Sequence, residues 1–545
     1  MRLSRSRLTL LLSATVLLAG LAVFFAAYPS TGSIVGAASL LQPGPAAAPS
    51  PCPSYTVLTS TIPADMSPPN SQPNANCFAW AEFIALNWAG NPVTCAADSS
   101  AAPSSFGNSS DTTPKVWELY KQDTDVFLPD AAAPSAWCSL SETVPAKFQA
   151  LSDRELLSGQ SHGAPPKLLS AFSKDADSPI KLSEFELAGS NGAWLTAQSG
   201  IIVLFEIRMN QDEFDYIDQN GLYNAQTQQT FVVKPGLNLP DNTSGTTSIG
   251  SIELKASWLE LPDPKIWPLY KTSKAWVVYP NSSEPKLVTV GLTGLHIIHK
   301  TGRSPQFIWA TFEHVNNAPS ISDISGGKLL PWYAFYNANC IPGSDHYQCT
   351  PNAQVDGATP STPYFPHQPA DPMSAPIQVV RENPLSSSST DNIVAINAWA
   401  QALIAQANPS SVFQNYQLVD VLWANNPSSI PPASRTPLTS GDPQPNPAFE
   451  KVANTTLETY LQNTDTCMDC HRYAPIAGAA AAAHSRLTAL LPKPRDPHAP
   501  PSQAHIAAAH ILALASYASD YSFLFSTANS PSAAALRKPR RLVIR

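Results

Sequence analysis

Proline sets the grain of this chain. Each of its 54 prolines lacks the backbone N–H that a helix interior or a central strand must donate, so regular elements are confined to the intervals between proline-rich runs. Together with serine, these runs gather at 41–54, 61–75, 96–113, 351–378, 427–447 and 492–504. None carries apolar periodicity, and each reads as loop or linker. No fixed-period repeat stands out, which argues against a propeller or a solenoid.

The intervals carry the folding signals. Cys77 to Trp88, CFAWAEFIALNW, predicts a short buried helix, and Pro114 to Val126 predicts a second. From about 186 to 336 the period changes. Ile201 to Ile207 is a β-branched apolar run, and Ile252, Leu254, Ala256 and Trp258 alternate with Glu253, Lys255 and Ser257, the period of a half-buried strand. Further strands are expected at 274–279, 287–300 and 306–315, the last two joined by a hairpin through Thr301-Gly302-Arg303-Ser304-Pro305. Gln211 to Leu222 reads as a helix between strands, Asn392 to Ala407 as a helix after them, and Tyr416 to Ala424 as one more strand. Thr455 and Glu458 form a capping box that predicts a helix with Leu457 and Leu461 on one side, and Ala504 to Phe523 predicts another. The expected class is α+β: a mostly antiparallel β N-terminal domain with helical insertions at 76–426, a Pro-rich linker at 427–447, and a small α-helical module at 448–526.

The N-terminus sets the compartment. Arg2, Arg5 and Arg7 precede an uncharged run from Leu8 to Tyr28, the basic region and apolar core of a targeting segment. At about twenty residues the core also reaches bilayer-spanning length. Residues 1–37 therefore read either as a signal peptide, with Val35-Gly36-Ala37 as cleavage point, or as a signal anchor that tethers the protein through residues 8–28. A Pro-rich linker at 38–75 follows. The expected address is the bacterial periplasm, secreted or anchored.

Low charge with 43% hydrophobic residues places the chain among globular secreted proteins with long irregular connections. Its formal net charge is −8, yet three arginines open the chain and five cations fill the last nine residues. The body between them is more acidic still, which excludes nucleic acid as a partner. The segment 527–545 reads as a basic disordered tail.

Eight cysteines are present, and two of them lie in Cys467-Met468-Asp469-Cys470-His471. The other six are an even number, suited to disulfides in an oxidising compartment. Cys340 and Cys349 enclose a short loop with Pro342-Gly343 and are the easiest pair to nominate. Cys52, Cys77, Cys95 and Cys138 allow three connectivities.

C-x-x-C-H in an exported chain is the attachment pattern of c-type haem. Two thiols three positions apart on a helical turn can add to two vinyl groups of one porphyrin, and the following histidine can reach iron. A thioredoxin-like pair would need a βαβ context and a zinc site a second pair of soft ligands; neither surrounds residues 450–490. The pentapeptide resembles that of the c-type cytochromes, which implies that Cys467 and Cys470 form thioethers with one haem c and that His471 is the proximal iron ligand. The module at 448–526 is then cytochrome c-like.

The sixth iron position is open to several residues. No methionine follows Met468, and Met468 itself lies within the motif. His484, His498, His505 and His510 are downstream candidates, Met209 and Met373 are upstream ones that need the β domain to fold over the haem, and a vacant site would admit a small ligand. His296, His299, Glu313 and His314 hold the inventory of a transition-metal site. In a regular strand, however, His296 and His299 point to opposite faces, which favours separate polar roles.

CFAWAEFIALNW, EIRMNQDEFDYI, GLHIIHK, FIWATFEHV and TLETYLQNTDTCMDCH together resemble segments of large exported bacterial proteins called cytochrome c family proteins, across most of residues 77–525. The resemblance implies a haem and a large extracytoplasmic domain, with no established reaction. The expected function is an electron-transfer protein rather than a dedicated enzyme, a mono-haem cytochrome that exchanges single electrons with a redox partner protein. A haem enzyme acting on peroxide or an organic substrate, or a gas-binding sensor, are the alternatives.

Overall fold

A hairpin of two long strands forms the spine of a nine-stranded sheet. The computed structural model describes residues 50–139, 144, 148–160, 164–170, 195–232, 236–279, 284–340, 349–353, 377–424, 445–446, 452–460, 462–463, 466–471, 474, 476–477 and 519–530. The targeting segment, most of the 427–447 linker, the tail beyond 530 and residues 504–518 of an expected helix lie outside the described residues. Those described belong to one compact unit, Pro49–Arg545.

In chain order the strands are β1 (Lys121–Gln122), β2 (Lys167–Ser170), β3 (Leu204–Met209), β4 (Ile252–Glu260), β5 (Thr272–Val278), β6 (Lys286–Thr301), β7 (Ser304–His314), β8 (Tyr416–Ala424) and β9 (Pro445–Asn446). The main path runs β9-β8-β7-β6-β4-β3-β1, with β5 added on β6 and β2 on β5. All pairings are antiparallel except β2 with β5. The class is thus mixed α+β around an antiparallel sheet.

The β6–β7 turn is tighter than expected. Thr301 pairs with Ser304, so Gly302 and Arg303 alone make the loop. Both faces of the sheet are covered, which corrects the half-buried reading of β4: Glu253 and Ser257 are buried as well, and only Lys255 is partly exposed.

One face lies beneath α1 (Gln72–Leu86) and α3 (Ile393–Ala407). Ser71 caps α1 by accepting from Asn74 N, and Pro73 occupies its first turn, where its missing N–H costs nothing. Every residue of the helix from Ala75 to Leu86 is buried, and apart from Asn76 and Glu82 these are apolar. Trp80, Phe83 and Ile396 pack on Leu295, Phe312 and Leu418, and each such fully buried side chain contributes roughly 1.5–3 kcal/mol. Trp80 Nε1 also donates to Asn397 Oδ1 at 2.9 Å, and Asn397 Nδ2 to Leu418 O, which ties both helices to β8.

The opposite face carries the pentapeptide. Ile298, Phe307, Trp309 and Leu422 pack there with Phe214 of α2 (Gln211–Gln219), Met468 of α4 (Cys467–His471), Leu524 and Phe525. The lead-in at 452–460 buries Val452 and Leu457 in apolar clusters and is fastened by polar contacts as well. Asn454 Nδ2 donates to Thr311 Oγ1 and Phe312 O, Thr455 N and Oγ1 donate to Glu313 Oε2, and the Thr456 hydroxyl meets that of Ser257 at 2.7 Å.

This fastening overturns the helix expected from Thr455. The residues form turns instead, because the Thr455 hydroxyl is taken by Glu313 and Glu458 Oε2 accepts from Asn454 N. The helix expected at Pro114–Val126 is likewise broken into a 3-10 turn at Val116–Leu119, strand β1 and the single turn Asp123–Val126. There the edge of β3 captures Lys121 and Gln122.

Three disulfides close the described chain: Cys52–Cys77, Cys95–Cys138 and Cys340–Cys349. Such bonds persist in oxidising compartments, which points to an extracytoplasmic environment. Among the described residues no helix is long and apolar enough to cross a membrane.

Candidate functional site

The pentapeptide Cys467–His471 is one helical turn, α4. Cys467 is partly buried. Met468 is 1% exposed and locked in the same core as Met209 and Trp309.

His471 is held in one orientation. Its Nδ1 lies 2.8 Å from Tyr521 O. A carbonyl only accepts, so Nδ1 carries the proton and Nε2 keeps the lone pair, the second-sphere arrangement that aims an imidazole at a metal. Two rings flank it, Trp309 at 4.5 Å and Phe523 at 4.9 Å between centroids. Burial pushes the imidazole down to about 4, the contact to Tyr521 O opposes this, and the charges of Lys255 and His296 add to it. His471 is therefore neutral near pH 7.

The elements that set this orientation come from far along the chain. Trp309 sits on β7 opposite Ile298 of β6 and Leu422 of β8. Tyr521 and Asp520 both adopt positive φ, 69° and 54°, a conformation that side chains other than glycine adopt at a cost of order 1–3 kcal/mol each. Asp520 holds this bend by pairing with Lys300 and accepting from Leu239 N at 2.7 Å. Ser519 Oγ donates to Ala474 O, closing the loop around α4.

The hairpin histidines go to separate places. His299 faces α1, where Nδ1 meets buried Glu82 and Nε2 donates to Ile249 O at 2.8 Å. His296 faces the pentapeptide side and meets Glu458 Oε1 through Nε2 at 2.7 Å. His314 Nε2 donates to Leu269 O while its ring stacks on Tyr270 at 3.9 Å. Glu313 pairs with Arg381 and with Thr455. They do not converge, and among the described residues no cluster of three or more such side chains could hold a metal ion.

His484, His498, His505, His510 and Met373 lie outside the described residues. A separate cavity of about 300 Å³ lies at the β1–β3 edge, lined by Lys121, Lys167, Arg208, Glu118 and Asp125 among others. Its charges are largely matched internally: Lys167 pairs with Glu118 and Glu206, and Arg208 with Glu206.

Sequence reasoning missed Tyr521, Trp309 and the His296–Glu458 pair. The first acts through a backbone carbonyl, which leaves no residue signature, and the last joins positions 162 residues apart. No family model matches the chain, nor does any curated protein or solved structure. Function has to be argued from the chemistry of the site.

Proposed function

We propose that this protein is an exported mono-haem c-type cytochrome that carries single electrons. Cys467 and Cys470 would hold one haem c through thioethers, and His471 would ligate its iron. The observation that supports this most directly is the tie from His471 Nδ1 to Tyr521 O, which leaves Nε2 as the donor atom. The donor set fits the group: two cysteines three positions apart on one helical turn, followed by a neutral imidazole of fixed tautomer.

Bound there, haem c would supply a one-electron iron couple. The chain's own residues do the rest. Tyr521 O raises the basicity of Nε2, and the Trp309 and Phe523 rings restrict the imidazole and keep water from it. Because the imidazole stays neutral above about pH 4, its lone pair remains available through the physiological range. The acidic body would present itself to a basic redox partner in the periplasm, with residues 8–28 as a candidate tether.

The test is to purify the exported chain, denature it and stain for covalent haem, then record reduced and oxidised spectra. Haem that survives denaturation, is lost in Cys467→Ser with Cys470→Ser, and gives a six-coordinate low-spin spectrum is the expected result. Absence of covalent haem from the intact exported chain would overturn the reading. A high-spin iron that takes up added ligands would replace the carrier with an enzyme or a gas sensor.

A further inference from the structure

Glu253 of β4 lies in the same row of the ladder as Ile298, Trp309 and Leu422, so its side chain rises from the pentapeptide face of the sheet. Lys300, two positions beyond Ile298 on β6, rises from the same face. Glu213, in the first turn of α2, is within hydrogen-bond reach of Glu253. Asp520 completes the group: its Oδ2 accepts from Lys300 Nζ and, at 2.7 Å, from Leu239 N. All four are buried, Glu213 completely.

Three carboxyls thus face one ammonium. The other charged groups nearby are engaged elsewhere. Lys255, two positions along β4, lies over Phe205 and opposes His296, which pairs with Glu458. On α2, Asp212 accepts from Thr247 and Gly250 N, Asp215 accepts from Thr246, and the Tyr216 hydroxyl accepts from Asn238 N. Asp241, which also feels Lys300, is tied into its own turn by Thr243 and Ser244. Full ionisation of Glu213, Glu253 and Asp520 would leave two uncompensated negative charges in the interior, where a charge loses its hydration. One proton therefore stays on the Glu213–Glu253 pair. Burial, the charge and hydrogen bond of Glu253 and the charge of Asp520 hold Glu213 well above its usual 4.5, against the pull of Lys300.

We propose that this shared proton is the catch of a pH-sensitive latch on His471. While it is present, the pair carries a single charge and Lys300 stays on Asp520. Asp520 and Tyr521 then keep their positive φ, and that bend aims Tyr521 O at His471 Nδ1. As pH rises, the proton leaves to solvent and a second negative charge appears on the pair. It repels Asp520 and draws Lys300 towards the two glutamates. The bend loses its counter-charge and relaxes, withdrawing Tyr521 O from the imidazole. The latch is shut below the titration of the pair and open above it, with or without haem on His471.

Hydrogen exchange on the full-length chain, read as protection factors from about pH 5 to about pH 9, tests this. The reporters are the amides of Leu239, which donates to Asp520, and Ser522, which donates to Ser519 O. In the native chain their protection should hold level at low pH and then fall about tenfold per pH unit, the slope of an opening linked to one proton. In the double variant Glu213→Gln, Glu253→Gln it should stay level throughout, and Asp520→Asn should lower it at every pH. Level protection in the native chain, the same fall in the double variant, or native protection in Asp520→Asn would overturn the latch. If the double variant does not fold, the infrared spectrum of the native chain decides: a protonated-carboxyl band should persist at about pH 7 and vanish over the interval in which protection falls. No such band, or one that outlasts the protection, would sink the proposal. Covalent haem is scored separately, so failure of the latch leaves the cytochrome reading standing, and a chain without haem leaves the latch standing.

Discussion

At the scale of single residues, the buried Glu82–His299 pair has the sharpest consequence. His299 Nε2 donates to a carbonyl, so one proton is shared between Nδ1 and the carboxyl. Burial raises Glu82 above its usual 4.5; burial alone would lower His299, but the attraction of Glu82, the hydrogen bonds to Glu82 and Ile249 O and the charge of Asp65 together raise it above 6.5. Both shifts mean that the folded state binds more protons than the unfolded one. The carboxyl's effect begins as pH rises through 4.5, where only the unfolded chain ionises. The histidine's stabilisation is complete below 6.5 and is lost as pH climbs through its raised folded value. The pair thus makes stability decline from pH 4.5 upward. Urea midpoints at pH 4.5, 6.5 and 8 should fall less steeply for the double variant Glu82→Gln, His299→Gln than for the native chain; parallel slopes would refute the shared proton. His299→Ala alone leaves Glu82 buried without its partner and should cost about 3–5 kcal/mol.

At the scale of elements, the lead-in to α4 depends on one glycine. A Cβ added at Gly294 would lie 2.6 Å from Thr456 Oγ1, 2.7 Å from Ser257 Oγ and 2.8 Å from Asn454 Oδ1. Only a residue without a side chain lets the 454–456 turns reach the floor of β6. Gly294→Ala should lift that segment and destabilise the fold by about 1–3 kcal/mol. Asn454→Ala, which strands the Phe312 carbonyl and the Thr311 hydroxyl, should cost a similar amount. Limited proteolysis at 452–466 together with thermal unfolding checks both. A Gly294→Ala protein with native melting and no new cleavage would show that the turns have room to spare. The capping box at Thr455 and Glu458 was legible as a pattern, yet Glu313 competes for the same hydroxyl, and a buried carboxylate outweighs a local propensity.

At the scale of the whole molecule, disulfides close loops around the sheet. Cys52–Cys77 ties the N-terminal strap to α1, Cys95–Cys138 spans 43 residues beside β1, and Cys340–Cys349 spans 9. Loop-closure entropy predicts that replacing each pair by alanine costs about 4 kcal/mol for the 43-residue bridge, about 3.5 for the 25-residue one and about 2.5 for the 9-residue one. Differential scanning calorimetry should rank the melting temperatures in that order. A reversed order would show that native packing rather than chain entropy dominates. The same bridges make the fold sensitive to reductant, in keeping with an extracytoplasmic life.

What the sequence determined by itself is local. Strands β4, β6, β7 and β8 announce themselves through alternation and β-branched runs, α1 through the largely apolar stretch from Cys77 to Trp88, and the haem-attachment proposal through five adjacent residues. Covalent spacing and periodicity act over a few residues, so they can be read directly. The tertiary structure decided the rest. It chose one of three connectivities for Cys52, Cys77, Cys95 and Cys138, sent His296 and His299 to different partners, and set Tyr521 O against His471 across 50 residues. Those contacts are made by a folded sheet that brings distant backbone together, and the pairing energy that selects them is spread over both partners, so neither local sequence records it alone.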